Sequence, residues 1–220
     1  PLYDSGTAGS FLYYVMPYVQ GATLSERLEA EKQLSVNEAV SIATAVAGAL
    51  DFAHRQGVVH RDIKPGNILF QGDQPVVSDF GISLAVGAGG RERLTETGLS
   101  LGTPYYMSPE QAKGKSVDKR ADIWAFGCIL YECLTGKKVF EGETITETLA
   151  AVLRGGPDWN ALPNDTPQNL RFVLLRCFEK ERNRRFRDAA DLQILIEEPG
   201  TPPVASENIQ RTTPRIFIVI

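Results

Sequence analysis

The stretch that decides the fold of this chain reads Val59-His60-Arg61-Asp62-Ile63-Lys64-Pro65-Gly66-Asn67-Ile68-Leu69 and continues, after a short gap, as Val76-Val77-Ser78-Asp79-Phe80-Gly81. Residues 68–70 and 76–78 predict two short strands, because they are mostly apolar and flank a polar turn around Gly72 and Asp73. In such a hairpin, Asn67 and Asp79 lie close together at one end.

The polar residues of this stretch suit phosphoryl transfer. That reaction requires a carboxylate near the attacking hydroxyl, oxygen ligands for magnesium and a cation near the migrating phosphate. Asp62, Asn67, Asp79 and Lys64 supply these groups. His-Arg-Asp alone is a common surface tripeptide, and Asp-Phe-Gly alone reads as a turn. The two motifs occur here in this order and are followed by Gly102-Thr103-Pro104 and Ser108-Pro109-Glu110. Chance is a poor explanation for such a combination.

On these motifs the chain resembles the protein kinase family, and more closely its bacterial Ser/Thr branch. The resemblance covers about residues 2–198. It implies an α+β fold with a mainly helical C-terminal lobe and a short β remnant of the N-terminal lobe. We expect the remnant and the hinge in 1–19, the C-terminal lobe in 20–198, and a Pro/Thr-rich linker or tail in 199–220.

The resemblance also implies catalytic roles. Asp62 would accept or orient the proton of the substrate hydroxyl, Asn67 and Asp79 would bind Mg²⁺, and Lys64 would stabilise the transferred phosphate. Thr103 would bridge Asp62 and Lys64. Lys64 at this position is typical of the Ser/Thr branch, so the expected substrates are proteins with Ser or Thr. The resemblance to the family also implies ATP and Mg²⁺ as cofactors.

A β-rich run that stops at Pro17 predicts a strand leading into a connection. By resemblance this is the last strand of the N-terminal lobe and the hinge, with Met16 as gatekeeper. Pro17 would offer its carbonyl and Val19 its N–H to adenine, Leu69 would form the floor beneath it, and Ser78 would line the same nucleotide site. Without the downstream motifs, an edge strand ended by proline explains the run equally well.

Arg61 directly precedes the predicted acid. In the family this arrangement pairs with a phosphate on the activation loop, which here spans about 82–103. Phosphate on Thr97, our first choice, or on Thr95 would give Arg61 a bidentate partner and order the loop. The alternative is that these hydroxyls are only solvated.

Five further residues have structural roles by resemblance. His60 would have few polar contacts and would stack with Phe80 and Leu2. Glu110 would pair with Arg185, although Glu181-Arg182 stands where relatives often have Asp-Pro.

Helical patterns occupy most of the remaining chain. A capping box at Ser35 starts a helix that ends near Gly57, an almost wholly apolar segment predicts a buried central helix over 118–134, and two more helices are expected over 166–178 and 188–198. Asp122 in the central helix belongs to an Asp-x-Trp-x-x-Gly motif. Its family counterpart accepts hydrogen bonds from the catalytic-loop backbone; the alternative is a helix-dipole effect alone.

Composition and the absence of recognisable targeting signals bear on the expected partners and location of the protein. A net charge of −4 gives no basic footprint for nucleic acid. Cys128, Cys133 and Cys177 lie in apolar helical patterns, which favours buried free thiols in a reducing compartment. We find no signal peptide and expect no membrane span of about eighteen residues, so we expect a cytoplasmic protein or the cytoplasmic part of a membrane-anchored kinase. The apolar end 216–220 is compatible with a strand, a shifted reading frame or the start of a membrane span.

Two classes of function remain open. The first is a Ser/Thr protein kinase, and the second is a catalytically silent, pseudokinase-like binding module. The printed sequence has no Gly-x-Gly-x-x-Gly before a strand and no Val-Ala-Ile-Lys-like strand, so we expect this stretch alone to bind nucleotide weakly and turn over negligibly. An exposed strand edge in 2–16 favours self-association. Autophosphorylation of the activation loop is the other expected interaction between copies of the chain.

Overall fold

The computed structural model describes residues 3–9, 11–15, 17–80 and 104–197. Two antiparallel hairpins are present, β1 (Asp4–Ala8) with β2 (Phe11–Val15), and β3 (Ile68–Gln71) with β4 (Gln74–Val77). The helices are α1 (Leu24–Glu31), α2 (Val36–Arg55), α3 (Pro109–Ala112), α4 (Arg120–Thr135), α5 (Ile145–Arg154), α6 (Gln168–Cys177) and α7 (Ala189–Glu197). Single 3₁₀ turns occupy Pro65–Asn67, Pro104–Tyr106, Trp159–Ala161 and Arg182–Arg184. The predicted α+β class is confirmed.

Helix α4 is the centre of the domain. Nearly all of its residues are buried, because the sequence is apolar on every face of the helix. It ends at Gly136, whose φ of 67° lies in the left-handed region that glycine adopts without steric cost. At Gly127 a Cβ would lie 2.6 Å from the Cβ of Cys177, so the missing side chain lets α4 and α6 approach closely.

Capping boxes set the starts of four described helices, and that of α3 is formed by Ser108 and Gln111. The predicted box at α2 is present, with the Ser35 side chain accepting from the Glu38 N–H and the Glu38 carboxylate accepting from the Ser35 N–H. Helices α1 and α5 start in the same way, at Thr23 and Thr144. Our sequence prediction missed these two helices, although the same Thr-x-x-Glu signal was present.

Helix α2 has the length and composition of a membrane span, with a mean hydropathy of 1.2. By length and composition alone it is a candidate for a span, which the sequence expectation of no membrane span did not anticipate. The apolar content of α2 has a packing reason, because the helix lies against both α4 and α7. Its buried residues are Ala39, Ile42, Ala43, Val46, Ala47, Leu50 and Ala53. This is the pattern of a core helix.

The three cysteines are buried and unpaired, as predicted. Burial raises the pKa of the Cys128 and Cys177 thiols well above the usual range and that of Cys133 to about 12. Because the thiolate is the reactive form, these side chains serve packing rather than chemistry.

Candidate active site

The β3–β4 hairpin carries one end of the site. Ile68 and Phe70 are buried on the core side of β3, whereas Leu69 points to the opposite face, since successive side chains alternate. Leu69 pairs with Val76 in register, and both side chains are half-buried. The predicted floor residue therefore belongs to an apolar surface that does not face the core.

The segment after β2 is held tightly against β3. Phe70 N donates to Ala22 O at 3.0 Å, and a Cβ on Gly21 would lie 1.8 Å from Phe70 O. Only glycine allows this approach of the two backbones. The contact ties the predicted adenine-binding segment to the strand that carries Leu69. Within the described residues the N–H of Val19 has no hydrogen-bond acceptor, so it remains available to a ligand.

Three of the predicted catalytic side chains are joined by hydrogen bonds. Lys64 Nζ donates to Asp62 Oδ2 at 2.7 Å. Asn67 Nδ2 donates to Asp62 O at 2.7 Å and lies 3.4 Å from Asp62 Oδ2. Ser78 N donates to Asn67 O at 2.9 Å, which brings the residue preceding Asp79 to the same loop. The hairpin thus connects the two motifs.

The oxygens near Asn67 and Asp79 fit a hard cation. The Asn67 amide nitrogen is engaged by Asp62, which leaves its Oδ1 without a hydrogen bond in the described part of the chain. Among the described residues, the exposed Asp79 carboxylate makes only a weak contact, 3.5 Å from Ser78 Oγ. The described ranges contain no group of three or more His, Cys, Asp or Glu that would hold a metal by themselves. Mg²⁺ is commonly bound by one or two protein oxygens together with substrate phosphates, and this donor set suits that mode.

Two residues of the site have left-handed backbones. Arg61 has a φ of 70° and Asp79 a φ of 63°, and among the described residues the only other non-glycine with positive φ is Lys32, at the end of α1. Such a conformation costs on the order of 1–3 kcal/mol and concentrates at functional sites. Neither arginine nor aspartate indicates a positive φ by itself, so no sequence signal predicted these backbone conformations.

The His60 ring forms polar contacts in addition to its contact with the Phe80 ring. Its ring centroid lies 4.7 Å from that of Phe80, as predicted, but Nε2 is also 2.7 Å from Ser78 O. Because a carbonyl only accepts, Nε2 carries the proton, and Nδ1 then accepts from Asp62 N at 3.3 Å. The prediction that His60 has few polar contacts is wrong. Its ring connects the backbone of the Asp62 loop to the backbone beside Asp79.

The Asp122 carboxylate holds residues 60–67, the predicted catalytic loop, through backbone hydrogen bonds at its start. This fully buried carboxylate accepts from His60 N at 2.9 Å and from Arg61 N at 2.7 Å. The loop contact that the family resemblance implied is therefore present. The same carboxylate lies 2.8 Å from His54 Nε2, a contact that sequence reasoning missed because His54 is 68 positions away.

A buried ion pair supports the segment after the loop. Arg185 donates from Nη1 and Nη2 to the two carboxylate oxygens of Glu110, at 2.7 and 2.8 Å. Burial opposes ionisation of Glu110, but the paired guanidinium outweighs it and lowers the pKa of this carboxyl. Gln111, which the sequence prediction did not include, donates to Arg61 O at 2.8 Å. The Ser-Pro-Glu segment is thereby linked to the catalytic loop.

Several predicted residues lie outside the described ranges. They are Leu2, Met16, Thr95, Thr97 and Thr103, together with the tail 199–220. Pro17 is described and half-buried. The Nε atom of Arg61 is buried and has no hydrogen-bond partner within the described residues, which leaves part of its guanidinium available.

Comparison with known proteins identifies relatives. Residues 1–193 match the family model described as the protein kinase domain. The chain is 39% identical over 193 residues to a probable serine/threonine-protein kinase of Clostridium acetobutylicum, covering 87% of this chain and 29% of that protein. It is 35% identical over 212 residues to serine/threonine-protein kinase PknB of Mycobacterium tuberculosis, covering 93% and 34%. A probable serine/threonine-protein kinase of Streptomyces coelicolor is 37% identical over 191 residues, covering 86% and 28%. The chain spans about a third of the length of these relatives.

Proposed function

Because this chain belongs to the protein kinase family, we propose that it forms the C-terminal catalytic lobe of a bacterial Ser/Thr kinase, which transfers the γ-phosphate of ATP to Ser and Thr hydroxyls of proteins. One observation carries the proposal: Asp62 is hydrogen-bonded to both Lys64 and Asn67, and the hairpin brings Asp79 to the same loop. Nothing in the described residues favours a silent binding module, since all four polar groups are present.

Each group has a distinct task. Asp62 orients the substrate hydroxyl and accepts its proton, while Lys64 neutralises charge on the transferred phosphoryl group. Asn67 Oδ1 and the Asp79 carboxylate hold Mg²⁺, which when bound offsets the negative charge of the ATP phosphates. Adenine is contacted by Pro17, Val19 and Leu69, together with Met16, which lies outside the described residues. Ser78 contributes through its backbone, because its N–H and C=O link Asn67 to His60.

Phosphoryl transfer to a generic protein substrate tests this function in the full-length protein. We expect Asp62→Asn and Asp79→Asn each to lower the rate by roughly 100-fold or more, because a positioned proton acceptor and a metal ligand are lost. Asp73→Asn is the matched control, since Asp73 is an exposed carboxylate in the β3–β4 turn. Full activity of Asp62→Asn, or a folded wild-type protein without transferase activity, would overturn the proposal.

We further propose that phosphorylation regulates the site. Arg61 has an unpartnered Nε within the described part of the chain, directly beside Asp62, and a phosphate on Thr97, or on Thr95, is a suitable ligand. Mass spectrometry after incubation with ATP measures this modification, and Thr97→Ala is expected to lower activity. An active enzyme with both threonines unmodified would contradict it.

Location and self-association are also proposals. Free thiols are typical of reducing compartments, which supports a cytoplasmic domain, with a membrane anchor only if one follows the tail. Tyr3, Tyr13 and Val15 on the first hairpin are exposed, which supports pairing of this surface with further polypeptide, including a second copy during autophosphorylation. Light scattering of the full-length protein at high concentration tests the self-association, and a strict monomer would exclude it.

A further inference from the structure

A polar pocket of about 380 Å³ lies between α3 and the turn that follows α6. Its wall includes Lys113, Lys115 and Ser116 on one side and Lys180, Arg182 and Asn183 on the other. None of the residues that line it belongs to the Asp62 loop or to the β3–β4 hairpin. The pocket is therefore separate from the candidate active site.

The cations of this pocket are poorly neutralised. Within the described ranges, Lys113, Lys115 and Lys180 have no carboxylate within 4.0 Å. Arg182 donates to Ser116 O at 3.0 Å and lies 3.4 Å from an Asp118 oxygen. That carboxylate is already bound by Arg120 at 2.6 Å, so it neutralises Arg182 only in part.

The two acids that line the pocket do not cancel this charge. Both oxygens of Glu110 are occupied by Arg185, which is buried behind the pocket wall. Glu181 is exposed and forms no ion pair with another described residue. With four cations in the lining against Glu181 and part of the Asp118 charge, the pocket carries a net positive charge.

Lys180 is half-buried in the pocket wall, and burial is the main reason why its pKa is lowered. Its Nζ donates to Val152 O at 2.6 Å and lies 4.7 Å from the centre of the Trp124 ring. Burial, with the nearby charges of Arg185 and Lys113, lowers the pKa of Lys180 to about 8. An anion in the pocket would relieve this repulsion, since an opposite charge favours the charged form of lysine.

We propose that this pocket binds a phosphomonoester group carried on a polypeptide. Such a group has a charge of about −1.5 to −2 at pH 7 and three acceptor oxygens, which match the lysine and arginine donors and the polar side chains of Ser116 and Asn183. The lining contains no aromatic ring to stack a base, which argues against a nucleotide. The inference rests on the proposed function, because that activity generates phosphorylated Ser and Thr. The pocket would retain a phosphorylated segment away from Asp62.

Binding is measured with the full-length protein without ATP, using fluorescence anisotropy of a labelled phosphoserine peptide. The same peptide with Ser, the same peptide with Glu, and inorganic phosphate as competitor form the other arms. We expect the phosphopeptide to bind about tenfold or more tightly than the Ser and Glu peptides, and phosphate to compete only weakly. Equal binding of the Glu peptide would overturn phosphate recognition. Phosphate alone binding as tightly as the phosphopeptide would overturn the polypeptide ligand.

Variants locate the binding. Lys113→Gln/Lys115→Gln is expected to weaken phosphopeptide binding about tenfold, whereas Lys32→Gln/Lys137→Gln, which removes the same charge from exposed positions elsewhere, leaves it unchanged. Equal losses of phosphopeptide affinity in the two double variants would show that the effect is nonspecific charge attraction and would overturn the proposal. Arg61→Gln must retain binding, because otherwise the phosphate sits at the active site.

Two readouts keep the outcomes separate. Unchanged thermal unfolding of Lys113→Gln/Lys115→Gln excludes a folding defect. Because binding is measured without ATP, intact phosphopeptide binding in a protein without transferase activity would overturn the proposed function and not the pocket.

Discussion

His54 Nε2 lies 2.8 Å from Asp122 Oδ2, in a contact where the two side chains are 3% and 0% exposed. The same carboxylate accepts from the backbone N–H groups of His60 and Arg61. The last turn of α2, the first turn of α4 and the catalytic loop therefore meet at one carboxylate. Its position in the core determines where the loop, and with it Asp62, is held.

Replacing Asp122 tests this anchor. Asp122→Asn puts an NH₂ group where one oxygen now accepts, so at least one buried donor loses its partner. We expect the free energy of unfolding to fall by about 3 kcal/mol, and kcat to fall more than KM for the protein substrate changes. Denaturant unfolding and steady-state kinetics of the full-length protein measure both.

His54 provides the companion experiment. His54→Gln keeps a donor for Asp122, whereas His54→Leu removes it, so Gln is expected to retain most of the kcat that Leu loses. Equal kcat in the two variants would show that the histidine acts only through packing.

The polar contacts of His60 are tested by His60→Phe. Phenylalanine keeps a ring against Phe80 but loses the bonds to Ser78 O and Asp62 N. We expect phosphoryl transfer to fall about tenfold, since the loss of roughly 1.4 kcal/mol of positioning energy corresponds to that factor. Full activity of the variant would mean that stacking alone is sufficient, as the sequence first indicated.

The Glu110–Arg185 pair predicts a pH dependence. Because the pKa of Glu110 is lowered in the folded state, the pair stabilises the fold above pH 4.5, and this contribution is lost as the pH falls through the folded pKa. Glu110→Gln leaves a buried guanidinium without its carboxylate and should cost about 3–5 kcal/mol at pH 7.

The difference in unfolding free energy between wild type and Glu110→Gln should therefore shrink below pH 4.5. Glu181→Gln is the control, because Glu181 is exposed and unpaired among the described residues, and its effect should be small at every pH. A Glu110→Gln effect that does not change with pH would contradict the assignment.

The close backbone approach at Gly21 predicts a specific steric effect. In Gly21→Ala the new Cβ would lie 1.8 Å from Phe70 O, so the backbone around Gly21 must move away from β3. We expect a higher KM for ATP and a stability loss of about 3 kcal/mol, the upper range for overpacking. Gly156→Ala, where a Cβ meets nothing within 4 Å, should leave both quantities unchanged. An unaltered KM for ATP in Gly21→Ala would refute the role of this contact.

The motifs predicted the α+β class of fold through their family resemblance, which is confirmed, and local patterns predicted where individual helices lie. The start of α2 follows from the reciprocal bonds of Ser35 and Glu38, and the burial of α4 follows from its apolar faces, because both signals act within a few turns of chain. The functional roles of the site residues stay predictions from the motifs, and Met16, Thr95, Thr97 and Thr103 also lie outside the described residues.

Tertiary structure alone decided how the loops are held. The left-handed backbones of Arg61 and Asp79 are imposed by surrounding contacts, since isolated Arg and Asp disfavour them. The contact between His54 and Asp122 and the convergence of Lys113 with Lys180 join residues more than 60 positions apart. No periodicity encodes such pairs, because they depend on how whole helices pack against one another.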